Sequence, residues 1–82
     1  MPQEIQEKLL SFITSSFMVE RDEIDLDKSM IDEGIIDSFG LIEIASFMEK
    51  EFQMKISEEQ MIRSNFGSVH KIVDFIKRET GL

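Results

Sequence analysis

The chain has 82 residues, enough for one small domain with a thin core. It contains no cysteine, which excludes disulfide staples and thiolate metal ligands and leaves packing to supply stability. Seventeen acidic against nine basic side chains give a net charge of −8, which argues against nucleic acid, whose phosphates would repel the chain, and favours basic partners reached by electrostatic steering.

Ile5, Leu9, Phe12, Ile13 and Phe17 recur at helical spacing, with Gln6, Glu7 and Lys8 on the other face. Pro2 stands at the entrance, where proline is tolerated. They predict a first helix that fades around Ser15-Ser16 and Met18. A long acidic connection follows from about Val19 to Asp37, carrying Glu20, Asp22, Glu23, Asp25, Asp27, Asp32 and Glu33. Ile24, Leu26, Met30 and Ile31 interrupt its charge. A solvated linker has no need of them, so the connection is expected to pack against the body, and long structured loops in small domains are often functional. Gly34 supplies backbone freedom just ahead of Ser38.

A second helix is expected from about Ser38 to Glu51, with Leu41, Ile44, Ala45, Met48 and Phe52 on one apolar stripe. Phe39, Ile42 and Phe47 lie off that stripe or at its edge, an apolar surplus. Periodicity leaves two readings of Phe39 and Ile42 open: core, or surface that meets a partner. Gly40 weakens a first turn and is unexpected there. Gln53-Met54-Lys55-Ile56 reads as a short extended link. Ser57 followed by Glu58, Glu59 and Gln60 is a capping signature and predicts a short helix to about Arg63, then a turn at Asn65-Phe66-Gly67. Ser68 caps a last helix in which Val69, Ile72, Val73 and Ile76 repeat beside Phe75. Lys77 and Arg78 stand near its C-terminus, where cations are favoured, and Gly81 ends it.

No run alternates as a strand. The expected fold is all-α: a four-helix bundle of three longer helices and one short third helix, with a long loop between the first and second, in a single domain over residues 1–82. No apolar stretch approaches the length of a membrane span, and Met-Pro-Gln-Glu lacks the basic and apolar regions of a leader, so a cytoplasmic location is expected.

Chemistry concentrates at Ser38. A serine where a loop becomes a helix lies beside backbone N–H groups with no intrahelical partner, and such a helix end stabilises the negative charge of a phosphate ester. A plain N-cap is the simpler role for Asp37 or Ser38. Ile36-Asp37-Ser38-Phe39-Gly40 resembles the nucleophile elbow of hydrolases only superficially. Ile36 replaces the first glycine, no strand precedes the serine, and the sole histidine, His70, lies in the last helix. Asp25, Asp27 and Ser29 have the spacing of a calcium loop, but Met30 and Ile36 replace its glycine and its terminal glutamate, so no metal site is expected. On the second helix Phe39, Ile42, Glu43, Ser46 and Glu49 lie roughly on one side, apolar spots ringed by carboxylates that suit a partner with a basic rim.

Taken together these residues resemble the acyl carrier proteins. The family's mark is Asp-Ser followed by an apolar residue at the start of the second helix, here Asp37-Ser38-Phe39 within Gly34-Ile35-Ile36-Asp37-Ser38-Phe39-Gly40. Leu26 to Gly34 looks like its loop leading to the serine. Glu49-Lys50-Glu51-Phe52 and Ile56-Ser57 look like the end of its second helix and the following link. Asn65-Phe66-Gly67-Ser68-Val69 and Val73-Asp74-Phe75-Ile76 look like its passage into the fourth helix. The resemblance covers essentially the whole chain.

The resemblance implies that Ser38 is the attachment point for 4′-phosphopantetheine, transferred from coenzyme A by a separate phosphopantetheinyl transferase. The arm would carry an acyl or aminoacyl group as a thioester in fatty-acid, polyketide, peptide or related biosynthesis. It also implies that the chain is a non-catalytic monomer. Asp37 and Phe39 would flank the arm, and Ile42, Glu43, Ser46 and Glu49, with Phe66 from the third-helix side, would meet partners: the transferase, an acyl- or aminoacyl-loading ligase or transferase, and downstream synthases. Phe39-Gly40 departs from the fatty-acid carriers and looks more like dedicated carriers paired with adenylate-forming ligases, among them D-alanyl carrier proteins. Ser46 stands where many fatty-acid carriers hold a larger apolar residue. The alternative is an unprimed acidic helical adaptor that binds a basic partner through its second helix. The cargo is not written in the sequence.

Overall fold

A computed structural model describes residues 2–81, with side chains from Glu4 to Gly81. Its elements are α1 (Pro2–Phe17), a 3₁₀ turn at Arg21–Glu23, α2 (Ser38–Glu51), a second 3₁₀ turn at Glu58–Gln60, α3 (Arg63–Phe66) and α4 (Val69–Thr80). The fold is all-helical, four helices with a long loop between the first two, and the described residues form no strand. Among the described residues no helix is long and apolar enough to cross a membrane.

The core sits where α1, α2 and α4 meet. Leu9 and Ile13 from α1, Ile44 and Met48 from α2, and Val69, Ile72 and Ile76 from α4 are inaccessible to solvent. Burying each such side chain contributes about 1.5–3 kcal/mol. Phe66 of α3 tilts against Phe75 of α4 with ring centroids 5.5 Å apart and closes the far end. α1 and α2 run antiparallel, since Lys8 pairs with Glu51, Phe12 stacks on Phe47 and Phe17 reaches Gly40. Leu10 joins the buried face of α1. Phe12 and Phe17, expected on the core stripe, are only partly buried and form the seam with α2.

The long loop packs as expected through Ile24, Met30 and Ile36, all buried, but Ile31 turns outward at 44% exposure. Gly34 adopts φ +77, a left-handed conformation that glycine accepts without steric cost. Just beyond it the Ile35 and Ile36 N–H groups both donate to Met30 O, at 2.8 and 3.3 Å. The loop is tied to three helices. Arg21 forks onto Glu7 of α1, and that hydrogen bond, reinforced by its charge, holds the Glu7 carboxyl below the usual range. Arg63 of α3 pairs with Asp32 at 3.1 Å. In α4 His70 donates its backbone N–H to Leu26 O at 3.0 Å, and its Nδ1 lies 2.6 Å from Asp27 Oδ1.

The third helix departs from the sequence reading. Ser57 to Arg63 is not one helix, and Asn65-Phe66 belongs to α3 rather than to a turn. The capping signature is real, since Gln60 reaches back to accept the Ser57 N–H at 2.9 Å, but it closes only a 3₁₀ turn. Extended backbone at Ile62 (φ −118, ψ 164) then breaks the chain, and Asn65 Nδ2 donates to Gln60 O at 2.8 Å. The side chain thus takes a carbonyl that a continuous helix would have used.

Candidate functional site

Asp37 and Ser38 sit where the loop enters α2. Asp37 is the N-cap: its backbone is extended, and its Oδ1 accepts the Gly40 N–H at 2.8 Å, while its carbonyl accepts the Leu41 N–H at 3.1 Å. Two donors of the first turn are thereby satisfied, and no protein group among the described residues accepts from the N–H of Ser38 or Phe39. Both residues are exposed, as is Asp37. The capping role falls to Asp37, which leaves the Ser38 hydroxyl in water at the positive end of a 14-residue helix.

Gly40 explains itself here. It is buried, and a Cβ at that position would lie 3.0 Å from both the Ile36 Cβ and the Phe17 ring. The first turn of α2 lies closely against the end of α1 and the end of the loop because this residue has no side chain. In the chain Gly40 reads only as a helix-weakening residue, because the Phe17 ring that it admits comes from another helix.

The two readings of Phe39 and Ile42 resolve toward surface: they are 76% and 54% exposed. Glu43 and Ser46 are exposed beside them. Glu49 is half-buried and otherwise engaged, since its Oε2 accepts the Ile56 N–H at 2.9 Å and holds the link after α2. Phe66 is buried, with its ring lining a hollow of about 210 Å³ together with Leu41, Ile31, Ile62 and Arg63. The structure therefore brings Asp37, Ser38, Phe39, Ile42, Glu43 and Ser46 to one exposed surface. Phe66 lies beneath the adjoining α2–α3 hollow. His70 is committed to Asp27 of the loop. Asp25 accepts the Asp27 N–H at 2.9 Å and Ser29 Oγ the Asp32 N–H at 3.2 Å, so these loop residues shape turns.

An acidic helical bundle with an exposed serine at the start of its second helix is the architecture of a carrier domain. Residues 1–81 match the family described as the C-terminal ACP domain of the highly reducing polyketide synthase sdgA. The chain is 31% identical over 75 residues to an acyl carrier protein of Buchnera aphidicola, covering 92% of this chain and 91% of that one. It is 30% identical over 74 residues to an acyl carrier protein of Clostridium perfringens, covering 90% and 95%. A D-alanyl carrier protein of Streptococcus uberis is 29% identical over 73 residues, covering 89% and 91%. The chain belongs to the acyl carrier protein family.

Proposed function

We propose that this chain is a carrier primed at Ser38 with 4′-phosphopantetheine, and that it delivers a thioester-bound acyl or aminoacyl group to partner enzymes without catalysing a reaction itself. The observation that carries this is the exposed Ser38 hydroxyl, freed from capping by Asp37, at the helix start where the family's motif lies. The bound group would supply a thiol on a long arm. The chain's own part is to present the arm's root. The outward N–H groups of Ser38 and Phe39 and the helix dipole favour the phosphodiester charge. Asp37, Phe39, Ile42, Glu43 and Ser46 offer partners apolar contacts with a carboxylate rim, and the net charge of −8 steers basic surfaces toward them. The single carrier domain, the monomeric state and a cytoplasmic location belong to the same reading.

Intact-protein mass before and after incubation with coenzyme A and a broad-specificity phosphopantetheinyl transferase tests it. Wild type should gain one phosphopantetheine and Ser38→Ala none, while both keep the same helical circular dichroism, since among the described residues the Ser38 hydroxyl makes no hydrogen bond that holds the helix. Loading of the alanine variant would remove the site assignment. A folded wild type that gains nothing would favour the unprimed adaptor.

A further inference from the structure

Among the described residues Met18 is the most exposed large apolar side chain, at 90%, and it follows directly on the last residue of α1. Its backbone adopts φ 54, the left-handed conformation that glycine accepts most easily after a helix. Neither burial nor backbone geometry therefore favours a methionine there. Its position does single it out, because α1 ends where α2 begins. The ring of the preceding residue, Phe17, lies against Gly40 and lines a hollow of about 430 Å³ with Gly34, Ile35, Ile36 and Asp37. Met18 thus stands at the Ser38 end of the molecule on the α1 side, as the exposed Phe39 does on α2. The other described methionines are sheltered: Met30, Met48 and Met54 are buried and Met61 is half-buried.

We propose that Met18 is a reversible oxidation site that regulates the priming of Ser38: its thioether gives the transferase an apolar contact on the α1 side of the motif, and its sulfoxide withdraws that contact. The inference rests on the carrier reading above. Reach supports the contact. A specific interface covers about 800 Å² of each partner, and Met18 is bonded to the residue whose ring touches α2 two positions past Ser38, so a protein seated on Ser38 extends over it. Exposure supports the chemistry. The chain has no cysteine, so among the described residues the Met18 sulfur is the one that an oxidant in water meets first. With hydrogen peroxide as oxidant, the sulfur lone pair attacks one oxygen, the O–O bond breaks, an S–O bond forms and water leaves. Sulfur gives up the two electrons that peroxide takes. The product is a polar, hydrogen-bond-accepting group. Covering it with an apolar surface of the transferase would strip its water without replacing it. The fold itself loses nothing, since the side chain is not part of the core. Thiol-dependent sulfoxide reductases reverse the change.

The test treats the unprimed chain with limited hydrogen peroxide and follows priming by coenzyme A and a broad-specificity phosphopantetheinyl transferase. Peptide fragmentation should place the first added oxygen on Met18. Oxidised wild type should be primed about five- to tenfold more slowly than reduced wild type at low carrier concentration, with the same helical circular dichroism, and methionine sulfoxide reductase with dithiothreitol should restore its rate. Met18→Leu should be primed at the same rate before and after peroxide. Met18→Gln, polar without any oxidant, should be primed as slowly as oxidised wild type. First oxidation at another methionine, equal priming of reduced and oxidised wild type, loss of helical signal on oxidation, an equal slowing of peroxide-treated Met18→Leu, or Met18→Gln primed as fast as Met18→Leu would each overturn the proposal. Failure of the untreated chain to gain the arm would instead bring down the carrier reading itself, and this inference with it.

Discussion

Asp37, Ser38 and Gly40 divide the work at the start of α2. Asp37 satisfies the helix end, Ser38 faces water, and Gly40 admits the Phe17 ring. Asp37→Ala removes the cap and should destabilise the fold by about 1 kcal/mol, a fall in Tm of about 4–8 °C for a domain of this size. Asp37→Asn keeps a capping oxygen but removes the charge next to Ser38. Its Tm should stay near wild type while association with a basic transferase slows at low salt, a split that thermal melts and stopped-flow binding resolve. Gly40→Ala would gain up to about 1 kcal/mol of helix propensity, yet its methyl meets the Ile36 Cβ, which can move only with its backbone. The crowding should win, with a net loss of about 1 kcal/mol in a urea melt.

The helices end under some strain. Met18 after α1 and Gln53 after α2 both adopt positive φ, at 54 and 51, where a glycine is the usual residue. Gln53→Gly should therefore stabilise the chain by about 0.5–1 kcal/mol, measured as a higher urea midpoint at unchanged slope. These positions also show what the sequence carried. The bounds of α2 and the caps at Ser68 and Gly81 were legible because each rests on residues adjacent in the chain: Ser68 Oγ accepts the Lys71 N–H at 3.2 Å, and the Gly81 N–H closes onto Lys77 O at 2.9 Å. The stretch from Ser57 to Gly67 departs from its sequence pattern because Asn65 competes for a backbone carbonyl through its side chain. That contest, with Arg78 from α4 donating to Asn65 Oδ1 at 2.8 Å, is settled by tertiary contacts. The serine and its flanking acid were readable from the chain. The need for Gly40, the engagement of Glu49 by the Ile56 N–H and the stacking of Phe12 on Phe47 were not, since each joins residues from separate elements.

At the scale of the whole molecule, charge dominates. A net charge of −8 on 82 residues would make association with a basic partner fast and salt-sensitive. Glu43 is the cleaner probe of that face, because reversing Glu49 would also release the link after α2. Glu43→Lys should slow docking and flatten its salt dependence while leaving Tm nearly unchanged. The Glu7–Arg21 pair gives the fold a small acid-sensitive component. Hydrogen bonding from Arg21 lowers the folded-state value of the Glu7 carboxyl, so the stabilisation is present above the ordinary glutamate range near about 4.3 and is lost as pH falls through the lower folded value. Glu7→Gln should make the acid limb of a Tm-against-pH curve slightly shallower. The central claim, however, concerns one hydroxyl among the nine serines of the chain, most of them exposed. Fragmentation of the peptides from transferase-treated protein tests it most directly. The account predicts that the phosphopantetheine mass lies on Ser38 and on no other serine, and a modified peptide that leaves Ser38 bare would contradict it.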